Sequence, residues 1–397
     1  MRILHIISGL GVGGAETLLY RLAQMSRSSR AEHLVVSLSS VGIMGRKLQT
    51  LGVEVRALGM GNGVPQPMLV RRLVNWIVDY APDAVQTWMY HADLIGGFAA
   101  HMAKRTLASR KAGSGRFGVF WAIHQSEYPT FRSEPKLSVV ARCCAVSSSK
   151  FPDLIICCAE TAKANHVRGG YEASRMRVIH NGFDIDLFRP QPEARSHLRG
   201  VLGLAEDVPI VGIVGRYHAV KDYDNFIAAI SRVHREMPAC RFVMIGHELV
   251  SENRALQQSL HDAGVGDASH LLGPRDDVQA LVPGFDVFCL SSRSEGFPTV
   301  IGEAMACGVP CVATDVGDTA VLIGEAGWVV PPRDPHALAT GLLSVLSLSL
   351  EERRNRGELA RQRIVSVFSI ESTWHKYERV YATVKEGASA CAELRAF

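Results

Sequence analysis

Two carboxylates, Glu295 and Glu303, stand eight positions apart, with Gly296, Phe297, Pro298, Thr299 and Val300 between them. Earlier in the chain Gly215-Arg216 is followed by Lys221. An arginine is a fork of donors and a lysine a point charge, and two such cations at a helix entrance suit a diphosphate. By residue type alone they read equally well as two surface charges. Carboxylates accept hydrogen bonds from hydroxyls. An anion site flanked by hydroxyl-holding carboxylates fits a ligand that carries both groups, such as a nucleotide-sugar. Spacing by itself favours an ordinary loop-to-helix turn with two solvated glutamates, so the surrounding residues must decide.

Those surroundings read as strand, short loop, helix, strand. Asp286 to Leu290 is a short apolar run, Thr299 to Ala306 a helix stopped by Gly308, and Val309 to Thr314 a second apolar run. Pro298 suits the first helical turn, where its missing N–H is no loss. This is one βαβ unit of a parallel sheet, with its loop at the strand's carboxyl end, where open α/β sheets bind ligands. Backbone N–H groups from Phe297 to Val300 would face an anion there.

The rest of the chain alternates in the same way. Ile3 to Ile7 reads as a strand, Ser8 to Gly14 as a glycine loop and Ala15 to Met25 as a helix. A glycine loop alone is a weak signal and also fits a plain connection. Further strands are His33 to Leu38, Val53 to Ala57, Ala84 to Trp88, Val119 to Ile123, Val140 to Val146 and Leu154 to Cys158. Pro67 to Asp79 reads as a helix, and another runs from Trp88 toward Lys104. His91 and His124 thereby fall at strand carboxyl ends. Val178 to Pro192 contains Asn181-Gly182 and two prolines, Pro190 and Pro192, the signature of a linker. A second series then begins: strand Val211 to Arg216, helix Asn225 to Glu236, strand Arg241 to Ile245, then His270 to Leu272 leading into Arg275 and Val278. Ala337 to Leu350 reads as a core helix. Glu351 to Arg363 is helical and charged, expected as a solvated face of paired charges. Glu371 to Lys385 is a last amphipathic helix.

Composition bounds the function. The 397 residues suit two α/β domains, and 47% hydrophobic residues supply two cores. A net charge of +4 is too small to argue for nucleic acid. Nine cysteines, an odd number, argue against a disulfide framework and for a reducing compartment. Cys143-Cys144 and Cys157-Cys158 are expected as buried hydrophobes. No zinc-like spacing is present, and the start of the chain reads as a strand entering a loop, not as a signal peptide. No apolar run reaches membrane-spanning length. Lys104, Arg105, Arg110, Lys111, Arg116, Arg132, Lys136 and Arg142 face only Glu127 and Glu134 in their stretch, with Gly113-Ser114-Gly115 as a loop. This is either a solvated face or a surface for anionic lipid headgroups.

Ser-x-x-Glu-Gly-Phe-Pro followed by Glu-Ala-Met-Ala-x-Gly-x-Pro-x-Val-Ala-Thr-Asp resembles the Glu-x7-Glu signature of retaining glycosyltransferase family 4. Gly13-Gly14-Ala15-Glu16 is similar to that family's glycine loop, and Asn181-Gly182-Phe183-Asp184 to its linker. There are departures. The family has Gly-Arg…Lys-Gly where this chain has Lys221-Asp222, which puts the loop geometry in question, and Gly-Asp-Gly-Pro where it has Gly246-His247-Glu248.

The resemblance implies an α/β GT-B architecture, two Rossmann-like domains facing across a cleft. The expected domains are 1–185, with 371–397 packing back on it, and 186–370. It implies transfer of a sugar from a nucleoside diphosphate sugar, expected to be a UDP-sugar, to a glycan or lipid-linked acceptor hydroxyl. The anomeric configuration is retained, and surface polysaccharide or glycolipid biosynthesis is the setting. Arg216 and Lys221 would stabilise the departing diphosphate, Glu295 orient the sugar, His124 hold a sugar hydroxyl and Glu303 anchor the ribose. Gly14, Gly215 and Gly296 to Val300 would line the donor, Arg275 and Val278 the base, and Glu16 and His91 the acceptor. No cofactor or metal is expected, no nucleic acid partner, and a cytoplasmic place with peripheral membrane contact. The alternatives are a sugar-nucleotide epimerase or phosphorylase on the same fold, or a non-catalytic nucleotide-sugar-binding subunit.

Overall fold

Strands buried on both faces need no polar alternation, and the apolar runs of this chain form two all-parallel sheets. In the computed structural model, which describes residues 1–29, 31–61, 66–109 and 117–386, the chain divides into two units. One comprises Met1–Gly182 and Ile370–Phe397, the other Phe183–Ser369.

The first unit holds β1 (Arg2–Ile7), β2 (Glu32–Ser37), β3 (Glu54–Ala57), β4 (Ala84–Trp88), β5 (Gly118–Ile123), β6 (Leu154–Cys157) and β7 (Met176–Val178). Their order across the sheet is β3-β2-β1-β4-β5-β6-β7. Helix Ile370–Glu386 belongs to this unit: Trp374, Tyr377 and Tyr381 lie in one core with Trp88, Phe120 and Ile156.

The second unit holds β8 (Ile210–Val214), β9 (Arg241–Ile245), β10 (Ser269–Leu271), β11 (Val287–Leu290), β12 (Cys311–Thr314) and β13 (Trp328–Val330), ordered β10-β9-β8-β11-β12-β13. In each sheet the strand order reverses beside the first strand of the unit. That places the loops after β1 and β4, and those after β8 and β11, at the switch points where such sheets bind ligands.

Several expectations are corrected. Val140 to Val146 is not a strand but part of helix Pro135–Ser147. Ser138, Ala141, Cys144 and Ala145 form its buried face at a period near 3.6, and Pro135 opens its first turn. Cys143 is exposed on that helix, while Cys144, Cys157 and Cys158 are buried as expected. Helix Leu350–Val367 is not merely a solvated face of paired charges. Arg353 reaches Asp286, Arg361 donates to the carbonyls of Phe188 and Ala306, and Arg363 donates to those of Leu322 and Val321. Pro298 is the N-cap residue of helix Thr299–Ala306, just before its first turn.

The second sheet is anchored far from its switch-point loops. Asp286, at the entrance to β11, is nearly fully buried among Arg199 (2.7 Å), Arg195 (2.5 Å) and Arg353 (3.1 Å), and accepts from the Ile210 backbone N–H. Arg199 also donates to the carbonyls of Val208 and Gly284. One carboxylate thus ties helices Ala194–Leu202 and Leu350–Val367 to the starts of β8 and β11.

Candidate active site

The loops after β8 and β11 are joined by side chains and backbone together. Lys221 Nζ lies 2.6 Å from Glu295 Oε1, and Ser292 Oγ donates to the same oxygen at 2.7 Å. Ser291 Oγ donates to the Lys221 carbonyl, and the Arg293 N–H to the Val220 carbonyl, each at 2.7 Å. Arg293 Nη2 reaches Asp222 Oδ1 at 2.6 Å. The Lys221 ammonium is therefore not an unpaired cation: it holds the carboxylate expected to orient the sugar. Arg216 differs. It is exposed at the end of β8, with no hydrogen bond or ion pair among the described residues. The two cations offer one free charge and one that a stronger anion could recruit.

Helix Thr299–Ala306 starts directly after this junction. Its first turn places Thr299 and Val300, both half-buried, at the positive end of the helix dipole. Glu303 lies one turn further, also half-buried. Phe297 is buried, stacked on Phe183 (5.9 Å) and tilted against Phe368 (5.7 Å), so its side chain fixes the loop while its backbone stays near the helix start. Gly302 has no room for a side chain: a Cβ would stand 2.0 Å from the Phe183 ring. The backbone of Glu295 and Gly296 is pressed against Gly317, which has φ +58°, and Gly296 accepts from the Asp318 N–H at 2.9 Å. Only glycine allows both that conformation and that approach. Gly215 carries the carbonyl that accepts from the Tyr223 hydroxyl at 3.1 Å.

Around His124, at the loop edge of the first sheet, the chemistry is uncharged. His124 follows β5 and stacks on Trp88 (5.2 Å, 22°), the last residue of β4. Burial pulls its pKa down to about 4, against a smaller opposing effect of Asn181, so the ring is neutral at pH 7. Among the described residues neither ring nitrogen completes a hydrogen bond of ordinary geometry. Beneath it Trp88 Nε1 donates to His5 Nδ1 at 3.3 Å. An indole can only donate, so the remaining bonds have one direction. His5 Nε2–H donates to His33 Nδ1 (2.9 Å), His33 Nε2–H to Ser26 Oγ (2.6 Å), and Ser26 to the Ala23 carbonyl (3.0 Å). Burial holds His5 well below its ordinary pKa and His33 at about 4, which keeps the chain neutral.

Two family models match the chain. That described as Glycosyltransferase Family 4 covers residues 12–187, and that described as Glycosyl transferases group 1 covers 208–347. The chain belongs to the glycosyltransferases of the group 1 and family 4 type. Among relatives, EpsF of Bacillus subtilis, whose own assignment as a glycosyltransferase is provisional, is 27% identical over 325 residues, 79% of each chain. D-inositol 3-phosphate glycosyltransferase of Geodermatophilus obscurus is 31% identical over 250 residues, 59% of this chain and 54% of that relative. The chain thus spans about half the length of that enzyme. Among solved structures, Anabaena HepE in complex with UDP superposes with a TM-score of 0.81 at 22% identity, covering 96% of this chain and 100% of the other. Sucrose-phosphate synthase of Thermosynechococcus elongatus gives 0.74 at 19%, covering 98% and 100%. The fold is that of the GT-B glycosyltransferases, two Rossmann-like α/β domains.

Within this transferase the other expected residues are placed as follows. Gly14 begins helix Gly14–Met25 and is exposed, and the Glu16 carboxylate folds back over Gly13, where a Cβ would meet Oε2 at 2.5 Å. His91 is half-buried in the first turn of helix Tyr90–Ser109, and burial lowers its pKa. Arg275 does not stand open: it makes two parallel bonds to Asp277, at 2.7 and 2.6 Å. Val278 opens the short helix Val278–Leu281. In the basic stretch, Lys104 pairs with Asp153 at 3.1 Å and Arg142 lies over the Phe131 ring, while Arg110, Lys111, Gly113-Ser114-Gly115 and Arg116 fall outside the described residues. No group of potential metal ligands is found among the described residues.

Sequence reasoning missed the Arg293–Asp222 pair, the Trp88–His5–His33 chain and the left-handed Met89 (φ 70°) that follows β4. The first had a signal: an arginine two residues before Glu295, and an acid where the family carries glycine. The others had none, since a histidine inside an apolar strand looks like any other polar interruption.

Proposed function

We propose that this glycosyltransferase moves a sugar from a nucleoside diphosphate sugar, a UDP-sugar, to a hydroxyl of a glycan or lipid-linked acceptor, with retention of anomeric configuration. The observation that carries the reading is the junction after β8 and β11: an unpaired Arg216, the Lys221–Glu295 pair and a helix N-terminus with Glu303 one turn in. Negative charge grows on the leaving diphosphate, where preorganised cations and N–H groups are worth most. Arg216 supplies one charge. Lys221 shifts from Glu295 toward the phosphate, which frees that carboxylate to take a sugar hydroxyl. Glu303 takes the ribose hydroxyls. His124, neutral and with open ring nitrogens, exchanges a hydrogen bond with a hydroxyl without adding charge. The reaction needs no added divalent metal on this reading. The retaining outcome rests on the Glu-x7-Glu resemblance.

Anabaena HepE has been solved with UDP and with UDP-glucose, which selects the first probes. A panel of UDP-sugars is screened by thermal shift, followed by turnover with lipid-linked acceptors in the presence of chelator. Release of UDP only when acceptor is present, and an NMR-defined product anomer matching the donor, are expected. Failure to bind any nucleoside diphosphate sugar, release without acceptor, or an absolute need for magnesium or manganese would each remove the corresponding part of the reading.

We further propose peripheral contact with anionic membranes. Helices Tyr90–Ser109 and Pro135–Ser147 expose Phe98, Met102, Val139 and Val146 and also carry Arg105, Lys136 and Arg142. A groove of about 920 Å³ lined by Val70, Leu94, Phe98, Met102 and Phe151 adjoins them. No helix among the described residues is long and apolar enough to cross a membrane. Sedimentation with anionic vesicles at low salt should fall on raising the salt and in an Arg105→Ala/Lys136→Ala/Arg142→Ala variant. Unchanged sedimentation would exclude this face.

A further inference from the structure

We propose that Asp222 and Arg293 form a conformational staple that sets Lys221 for the donor diphosphate. They are positioning residues and not catalytic ones. The inference rests on the reading of Lys221 given above.

Asp222 has φ 52° and ψ 57°, the left-handed region that most L-residues avoid. It joins the short 3-10 turn Ala219–Lys221 to helix Tyr223–Glu236, so the chain must reverse there. Glycine would take this conformation freely. Aspartate takes it less easily, and here the side chain holds it. The carboxylate is 2% exposed and meets Arg293 Nη2 at 2.6 Å, while its second oxygen has no partner among the described residues. Arg293 is itself clamped, because its N–H donates to the Val220 carbonyl at 2.7 Å. Ser291 Oγ holds the Lys221 carbonyl from the same strand end. Lys221 therefore sits between two ties to the Ser291–Arg293 segment, and its ammonium is aimed at Glu295.

The asymmetry of the pair makes the idea testable. Removing Arg293 strands a buried carboxylate with no other partner, which drives the loop open. Replacing Asp222 by alanine removes the tie and leaves a residue that disfavours φ > 0. Replacing it by glycine removes the tie and also the need for it. A carboxylate acting directly on the ligand would show no such difference between alanine and glycine.

The experiment measures UDP affinity by calorimetry, with melting temperature and amide hydrogen exchange on the same samples. Asp222→Ala and Arg293→Ala should each weaken UDP about tenfold, the double variant no more than either alone. Both should speed exchange of the Phe226 N–H, which is bonded to the Asp222 carbonyl, and the Arg293→Ala variant that of its own N–H. Asp222→Gly should bind UDP within about threefold of the parent even if it melts lower, and Arg293→Ala added to it should change affinity no further. Equal damage from Asp222→Gly and Asp222→Ala overturns the proposal. So does an Arg293→Ala effect that persists undiminished on the glycine background, since Arg293 would then contact the ligand itself. Lys221→Ala separates the two claims. If it binds UDP like the parent, Lys221 is not a diphosphate ligand and that reading fails, while unchanged exchange in Asp222→Ala and Arg293→Ala sinks the staple whatever Lys221 does.

Discussion

At the loop edge of the second sheet, Lys221, Glu295, Asp222 and Arg293 meet as ion pairs, and Arg216 stands open beside them. In the first sheet, His124 and Trp88 at the loop edge lead through His5 to His33 and Ser26 near the strands' amino ends, stacked and hydrogen-bonded without a single formal charge. The fold is the same and the edges are equivalent. The difference lies in what can be exchanged. A pair of opposite charges near solvent can swap one partner for an incoming anion, because the ion that leaves is rehydrated or bonded again. A one-way chain of neutral donors cannot change any member without turning round every tautomer along it. The second edge is built to be rearranged by a ligand, and the first to stay as it is.

The comparison can be pressed hardest away from the loops. If the second unit depends on charges throughout, Asp286→Ala should destabilise it by about 3–5 kcal/mol, because Arg199 would stay buried with its ion partner gone. Denaturant unfolding followed by a probe in that unit measures this; a loss near zero would show that the arginines simply repack. Next comes Arg216→Ala, expected to lower kcat by roughly 10²-fold while leaving melting unchanged, since it removes charge stabilisation and no hydrogen bond or ion pair among the described residues. A kcat within twofold of the parent would make Arg216 a surface charge.

Acid tests the neutral edge. His33 and His124 titrate at about 4 when folded and near 6.5 when unfolded, and His5 is lowered as well. The unfolded chain therefore takes up protons first as pH falls. Stability that is complete above pH 6.5 is lost progressively toward pH 4, by roughly 3 kcal/mol for His33 alone. Of the five tryptophans only Trp328 lies in the second unit, so tryptophan fluorescence reports chiefly on the first. Its melting temperature should drop between pH 7 and 4.5, and less steeply in His33→Gln. A flat profile would mean that the chain accepts protons without breaking. The smallest expected effect is that of Glu303→Ala, which should raise the donor KM about tenfold with kcat little changed, since ribose contacts serve ground and transition states alike. An unaltered KM would place Glu303 outside the donor site.

What could be read in advance follows from range. The βαβ unit around Glu295 was legible because strand, turn proline, helix and stop glycine are adjacent in sequence, and so was helix Pro67–Tyr80. Val140 to Val146 was misread because a short apolar run on a buried helix face looks like a strand until the polar positions between its contacts are seen. Glu295 and Lys221 were both singled out, but not their contact, which joins loops 74 positions apart. The Asp286 hub reaches Arg199 across 87 positions, and no local pattern marks it. The left-handed Asp222 was visible only as a missing glycine. Its compensation lies in the loop after β11, 71 positions away.

The first unit is interrupted in sequence, and this bears on how the protein is made. Trp374, Tyr377 and Tyr381 are core residues of that unit, yet they are synthesised after the whole of Phe183–Ser369. On the ribosome the unit that starts first cannot complete its core until the other has emerged. Domains of most chains mature from the amino end during synthesis. Here the order is reversed: the second unit, continuous in sequence, can close while the first still waits with Trp88 and Phe120 uncovered. A nascent chain halted before Ile370 would offer that apolar surface to chaperones, and release of the last helix would be the step that hides it.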